Sequence, residues 1–301
     1  MTFEELQNRI IGLSSNPNLD FFVVGYSTLG QAIYGVHLGD YSGKQILIEG
    51  GIHAREYPST LVLCDMIDYM TSQELPGGVY AIPLTNPDGA RLVLDGLDWI
   101  PCQKLKDYIL HINDGSDDFS QWKANILAID LNVNFDALWG EGSQNVFCVA
   151  PGNFIGYFPE SEREVRNLID FSYRVRPDLT LSYHTKGDVI YYGFELLTTE
   201  ELNRDREIAE FISTINGYTP TKTEASVGGY SDWASEYLKV PAFTIEIAPA
   251  TAPTPVPIEY VAPAFEANKD VPIRLLEYLN ERKGNLWNMR TFWPQLSKNT
   301  G

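Results

Sequence analysis

Ile46-Leu47-Ile48-Glu49-Gly50-Gly51-Ile52-His53-Ala54-Arg55-Glu56 is the stretch whose reading decides the fold. Its first half is an apolar run short enough for a buried strand, and the two glycines end it. An imidazole and a carboxylate, three residues apart, follow where strand gives way to loop. Leu179-Thr180-Leu181-Ser182-Tyr183-His184 repeats the pattern far downstream, with one imidazole at its end. His53, Glu56 and His184 together supply three zinc ligands and leave a fourth position open, the ligand count of a catalytic zinc site. Phe243-Thr244-Ile245-Glu246-Ile247 is a third apolar strand and carries a lone carboxylate. A buried Glu without a charge partner is costly, so Glu246 is the candidate general base.

Apolar runs alternate with amphipathic ones along the 301 residues. Strands are expected over 21–26, 32–38, 45–49, 79–84 and 242–247. Helices are expected at the N-terminus (capping box Thr2 and Glu5), over 59–71, 161–175 (capping box Ser161 and Glu164), 199–216 stopped by Gly217, and most of 259–283 around Pro272. Asn86-Pro87-Asp88-Gly89 reads as a turn. The order is that of an α/β fold, a mixed central sheet flanked by helices in one domain spanning 1–301. No linker composition divides the chain, and 284–301 reads as a docked tail. The stretches 94–128 and 139–159 read as long irregular loops, which in a compact domain usually form functional walls or lids.

Composition narrows the partners. A net charge of −18 argues against nucleic acid or an anionic membrane. No apolar run approaches the roughly 20 residues of a membrane span. The first residues lack a basic start and an apolar signal core, so a cytoplasmic chain is the expectation. Cys64, Cys102 and Cys148 are odd in number and widely spaced. They fit neither a disulfide framework nor a thiolate zinc site, and buried reduced thiols are expected.

Five segments in order resemble the zinc carboxypeptidase family: His53-x-x-Glu56, Asn86 to Gly89, Asp130-Leu131-Asn132-Val133-Asn134-Phe135, His184, and Gly228-Gly229-x-x-Asp232-Trp233 followed by Phe243 to Glu246. The resemblance implies one zinc per chain on His53, Glu56 and His184, Glu246 as the catalytic carboxylate, and a substrate pocket built from Asn132, Val133, Asn134, Arg55 and Asp232. Where the family carries an arginine that clamps a free C-terminal carboxylate, this chain has Val133. A valine cannot bind a carboxylate, so ordinary C-terminal trimming is not expected. Asp130 to Gly140 and Ser182 to Tyr191 are similar instead to the bacterial γ-D-glutamyl-diamino acid peptidases of cell-wall peptides. Lys123, in Gln121-Trp122-Lys123, stands near the family's oxyanion arginine and is the expected replacement. The family's mobile tyrosine has no counterpart, Glu224 lying near its place. The resemblance thus implies a zinc peptidase whose partner is a cell-wall peptide. A general metallocarboxypeptidase, using Lys186 or Arg91 as substitute cation, and a zinc amidohydrolase of small acylated amino acids are the competing readings.

The bland readings stand beside these. His53, Glu56, Asn132 and Asn134 could be loop and turn residues, Lys123, Lys186 and Asp188 solvated charges, and Tyr191, Tyr192 and Trp233 core aromatics. His37 and His111 lack ligand spacing and read as structural.

Overall fold

A computed structural model describes residues 1–282; the tail expected at 284–301 lies outside them. The chain opens with α1 (Phe3–Gly12), whose Thr2 and Glu5 form the expected reciprocal cap. Strands β1 (Asp20–Tyr26), β2 (Ala32–Gly39) and β3 (Gln45–Gly50) follow, then α2 (Tyr57–Met70), β4 (Gly78–Ile82), α3 (Pro87–Asp95) and α4 (Gln103–Ile112). The second half contributes α5 (Arg163–Val175), β5 (Leu179–Thr185), β6 (Val189–Tyr192), α6 (Thr199–Asn216), β7 (Thr219–Lys222), α7 (Tyr230–Trp233), β8 (Ala242–Ile247), α8 (Val261–Asn268) and α9 (Val271–Glu281).

The strands form one mixed sheet in the order β1-β2-β4-β3-β5-β8-β6-β7. Its centre is parallel, β4, β3, β5 and β8, and antiparallel pairs flank it. Central parallel strands are covered on both faces and therefore read as near-continuous apolar runs. Alternation sorts their side chains. Ile46, Ile48, Leu181, Tyr183, Phe243 and Ile245 pack on one face with α1, α2, α6 and α9, whereas Leu47 faces Leu131, Phe135, Leu168 and Trp233 on the other. From β3 the chain crosses to β4 on one side, while β5 and β8 lie on the other. That reversal opens a crevice at the carboxyl ends of β3 and β5, the usual ligand position in open α/β sheets.

Several local expectations are corrected. Asn86 to Gly89 is not a free turn but the start of α3: the Asn86 side chain accepts from Gly89 N at 3.0 Å and Pro87 takes the first helical position, where its missing N–H is harmless. Ser161 does not cap α5. Glu162 is the N-cap residue, the Ser161 hydroxyl donates to the Glu162 carboxylate at 2.8 Å, and Glu164 instead accepts from Thr28 N of the β1–β2 turn at 2.8 Å. The stretch 94–128 is not irregular throughout. It contains α4 and has its own apolar cluster of Leu92, Ile100, Ile109, Phe119, Trp122 and Ile126. The helical C-terminal region is two helices, with Pro272 in the first turn of α9. Of the cysteines only Cys64 is buried; Cys102 and Cys148 are exposed. Buried His37 stacks on Tyr41 and lies 3.2 Å from Gln45 Oε1, and His111 is exposed on α4.

Candidate metal centre and cleft

His53 and Glu56 are placed by the turn that follows β3. Gly51 adopts φ +61, and a Cβ there would come within 2.6 Å of the Thr60 hydroxyl, so only glycine fits. Ser59 ties the turn down, accepting from Gly51 N at 3.1 Å and donating to Glu56 O at 2.8 Å. Asn86 Nδ2 donates to Ile52 O and to Ala124 O, and Ala54 N donates to Lys123 O, which joins this turn to the segment carrying Lys123. His184 is the last residue but one of β5, and strand register sets Glu246 of β8 directly beside it.

The three donors converge. His53 Nδ1 lies 3.0 Å from Glu56 Oε1, His184 Nδ1 lies 3.0 Å from Glu56 Oε2, and the two Nδ1 atoms are 3.1 Å apart. All three residues are buried. They form the one cluster of at least three such ligands among the described residues. Two imidazole nitrogens turned toward one carboxylate at this spacing suit a centre bonded at about 2.0–2.1 Å, and the N, N, O donor set is that of catalytic zinc. The carboxyl of Glu56 is held well below its usual range: burial opposes ionisation, but the two imidazoles outweigh it. Thr185 N also donates to Glu56 Oε2 at 3.2 Å.

Asp130 supports this centre from behind. It is fully buried, with Oδ1 3.3 Å from His53 Nε2 and Oδ2 2.9 Å from Lys123 Nζ. Lys123 and His53 hold its carboxyl far below the ordinary range against the pull of burial. In the sequence Asp130 is marked only as the first residue of its motif. The signal that could have found it is an acid opening a motif otherwise made of amides and apolar residues.

Glu246 lines the cleft, and its Oε2 has no hydrogen-bond partner among the described residues. Burial raises its pKa, with the neighbouring Glu56 charge acting the same way and His184 acting against it. The cleft has a volume of about 350 Å³ and is also lined by Lys123, Asn132, Val133, Asn145, Tyr191 and Asp232. Val133 packs its backbone against Gly228, and Asn132 Oδ1 accepts from Tyr230 N at 3.0 Å. Asp232 Oδ2 accepts from Gly229 N at 3.0 Å, and burial pushes its pKa up to about 7. Glu224 stands at the exposed rim.

Two expected pocket residues lie elsewhere. Asn134 is buried outside the cleft. Its Nδ2 donates to Ile155 O, Phe158 O and Ser161 Oγ, and its Oδ1 accepts from Glu162 N, so its amide fastens the 155–162 loop. Arg55 does not line the cleft either, and its Nη1 donates to Gln121 O at 3.1 Å, although its charge still reaches Glu246. Lys186 donates to Ala252 O. Trp233 is core, as expected, whereas Tyr191 and Tyr192 line the cleft. The wall formed by 139–159 contributes Gly142, Gln144, Asn145 and Asn153. Asn145 Nδ2 has no partner among the described residues, which leaves a donor on that wall.

A family model described as zinc carboxypeptidase matches residues 12–269. The chain belongs to the zinc carboxypeptidase family. The gamma-D-glutamyl-L-diamino acid endopeptidase 1 of Lysinibacillus sphaericus is 32% identical over 256 residues, covering 80% of this chain and 63% of that protein. This chain therefore spans less than two thirds of that relative's length. Among solved structures, bovine thrombin-activatable fibrinolysis inhibitor in complex with tick carboxypeptidase inhibitor superposes with a TM-score of 0.73 at 18% identity, over 93% of this chain and 97% of that one. The murein-tripeptide amidase MpaA of Escherichia coli O157 superposes with a TM-score of 0.53 at 19% identity, over 86% of this chain and 92% of that one. These two likenesses show the shared α/β fold. Among the described residues no helix is long and apolar enough to cross a membrane.

Proposed function

We propose that this protein is a zinc peptidase that hydrolyses the amide between a γ-D-glutamyl residue and a diamino acid, diaminopimelate or lysine, in murein peptides. The observation that carries the reading is Val133 in a zinc-carboxypeptidase cleft, where a carboxylate clamp would otherwise stand. A free carboxylate at that wall would lose hydration with nothing in return. The relative named as a γ-D-glutamyl-L-diamino acid endopeptidase supports the same substrate class. So do Asp232 and Glu224 in the cleft, because a leaving diamino acid brings a second ammonium group for an acidic wall.

His53, Glu56 and His184 would hold one zinc per chain. Bound there, zinc supplies Lewis acidity toward the scissile carbonyl and the attacking water. Glu246 accepts a proton from the attacking water and returns it to the leaving nitrogen, a role that suits a carboxylate whose Oε2 is unpartnered beside the ligands. Lys123 presents an ammonium to the oxyanion while Asp130 and Asn153 Oδ1 hold it in place. Asp130, with Oδ1 3.3 Å from His53 Nε2, would favour the tautomer that leaves Nδ1 for the metal. The three unpaired cysteines fit a reducing compartment, and the proposal places the enzyme in the cytoplasm.

Digestion of a γ-D-Glu-diaminopimelate peptide and of its α-linked L-isomer, with product masses read, tests the proposal. Cleavage of the γ-linked amide, with C-terminally amidated substrates tolerated, is expected. Preference for α-linked L-peptides with a free C-terminus would return the protein to the ordinary carboxypeptidases.

A further inference from the structure

Glu49 is a buried acid that the mechanism above does not use. It lies in β3, every residue of which is buried, and its own exposure is 0%. Its Oε2 accepts from Thr85 Oγ1 at 2.9 Å, while its Oε1 has no partner among the described residues. The Ser182 hydroxyl on the neighbouring strand also hydrogen-bonds this carboxyl, but a fully buried acid with one oxygen still unanswered remains poorly compensated.

The sheet register shows what Glu49 faces. Ile46 and Ile48 belong to one face, so Glu49 points to the other with Leu47. Its partner on β5 is Ser182, and alternation places Ser182 and His184 on that same face. His184 uses Nδ1 toward Glu56 and His53, and its Nε2 is also buried without a partner. An orphaned carboxylate oxygen and an orphaned imidazole nitrogen thus share one sheet face in adjacent strands. Burial raises the Glu49 pKa, and His184 leads the influences acting against it, followed by the hydroxyls of Thr85 and Ser182.

We infer that Glu49 is the positioning residue of His184, its carboxylate accepting the Nε2–H directly or through one buried water. That bond places the proton on Nε2 and turns the Nδ1 lone pair toward the metal position. Asp130 stands behind His53 in the same way, its Oδ1 3.3 Å from Nε2, so each imidazole has a carboxylate on its far side. The inference rests on the zinc reading of the site. The hydroxyls of Thr85 and Ser182 do not require an acid, because a glutamine oxygen would accept from them equally well.

The test is zinc affinity, read by chelator competition on the full chain, for wild type, Glu49→Gln and Glu49→Asp. Glu49→Gln turns an amide N–H₂ toward Nε2–H and is expected to weaken zinc binding 10- to 100-fold. Its metal-free form should unfold at a midpoint equal to or above wild type's, since a buried charge is gone. Nitrogen NMR of metal-free protein should show the Nε2–H tautomer of His184 losing population. Glu49→Asp keeps the charge and is expected to recover most of the affinity. A wild type that takes up zinc with a Glu49→Gln variant within twofold of it would overturn this inference and leave the zinc reading intact. Glu49→Asp binding as weakly as Glu49→Gln would assign Glu49 to packing and equally overturn it. A wild type that takes up no zinc would remove the zinc reading, and the inference with it.

Discussion

Lys123→Met is the substitution whose consequences the structure specifies most fully. Lys123 is partly open to the cleft, its side chain 22% exposed, but its partner Asp130 is not exposed at all. Removing one member of a buried ion pair typically costs about 3–5 kcal/mol, because the other charge is stranded. Here Asp130 keeps Asn132 N at 3.1 Å, Asn153 N at 2.9 Å and the His53 imidazole, so the loss belongs at the lower end, about 3 kcal/mol. Urea unfolding of zinc-free protein at pH 7 measures it without interference from metal binding. The pH dependence has a definite sign. The folded-state pKa of Asp130 is depressed, so its contribution is present above the unfolded value near 4 and fades as pH falls. The gap between wild type and Lys123→Met should therefore be widest at neutral pH and narrow in acid. A cycle with Asp130→Asn should give a coupling of about 2 kcal/mol. In the zinc enzyme, kcat should fall about 10²- to 10³-fold, the range for losing one oxyanion donor. A stability difference under about 0.5 kcal/mol, the scale of an ordinary surface substitution, would refute the pairing argument. An intact kcat with the predicted loss of stability would leave Lys123 as a support for Asp130 and His53 only.

Glu246→Gln should keep zinc affinity within a few-fold of wild type while turnover drops at least about 10²-fold, as for loss of a general base; near-normal turnover would point to another base. Glu164, buried and pushed up to about 7 mainly by desolvation, is destabilising once ionised. Its raised folded pKa means that stability is fully present below the unfolded value and lost as pH rises toward 7, so Glu164→Gln should be the more stable protein at pH 8, by on the order of 3 kcal/mol. The advantage should vanish near pH 4, and an equal difference at both pH values would refute the assignment. Val133→Arg should shift the preference toward substrates with a free C-terminal carboxylate at least about tenfold, ~1.4 kcal/mol; an unchanged ratio of free-acid to amide hydrolysis would mean that Val133 does not set it.

Much of this was legible because buried parallel strands write themselves as apolar runs. The ends of β3, β5 and β8 could be marked from Ile46-Leu47-Ile48, Leu179-Thr180-Leu181 and Phe243-Thr244-Ile245, and His53, Glu56, His184 and Glu246 come at those ends. Edge elements were harder. β7 is Thr219-Pro220-Thr221-Lys222, and a proline argues against a strand except at an edge, which is where β7 lies. The α5 cap failed for a different reason. Ser161-x-x-Glu164 has the spacing of a capping box, but both side chains are claimed elsewhere, Ser161 by distant Asn134 and neighbouring Glu162, and Glu164 by distant Thr28. Asn134 was misplaced in the same way. An amide in a pocket motif looks like a substrate contact until the 155–162 loop is seen to occupy it.

The signal that singled out Glu246 in sequence was a lone carboxylate at the end of an apolar run. Glu49 carries the same signal in Ile46-Leu47-Ile48-Glu49 and received no reading. Strand geometry shows why both belong to one centre. Phe243 and Ile245 pack on the face that holds Ile46 and Ile48, so Glu246 and Glu49 emerge on the opposite face, the one on which His184 also lies. Each acid is one strand away from His184, Glu49 on β3 and Glu246 on β8. A charge in a central parallel strand cannot reach water along the sheet, so it must be answered by another group on its own face. Only near the carboxyl ends of the strands, where the order reverses, does that face open into a crevice. Glu246 reaches the crevice with Oε2 unpartnered, whereas Glu49 stays beneath it, where Thr85 and Ser182 answer part of its carboxyl and the unpartnered nitrogen of His184 is the group proposed to answer Oε1.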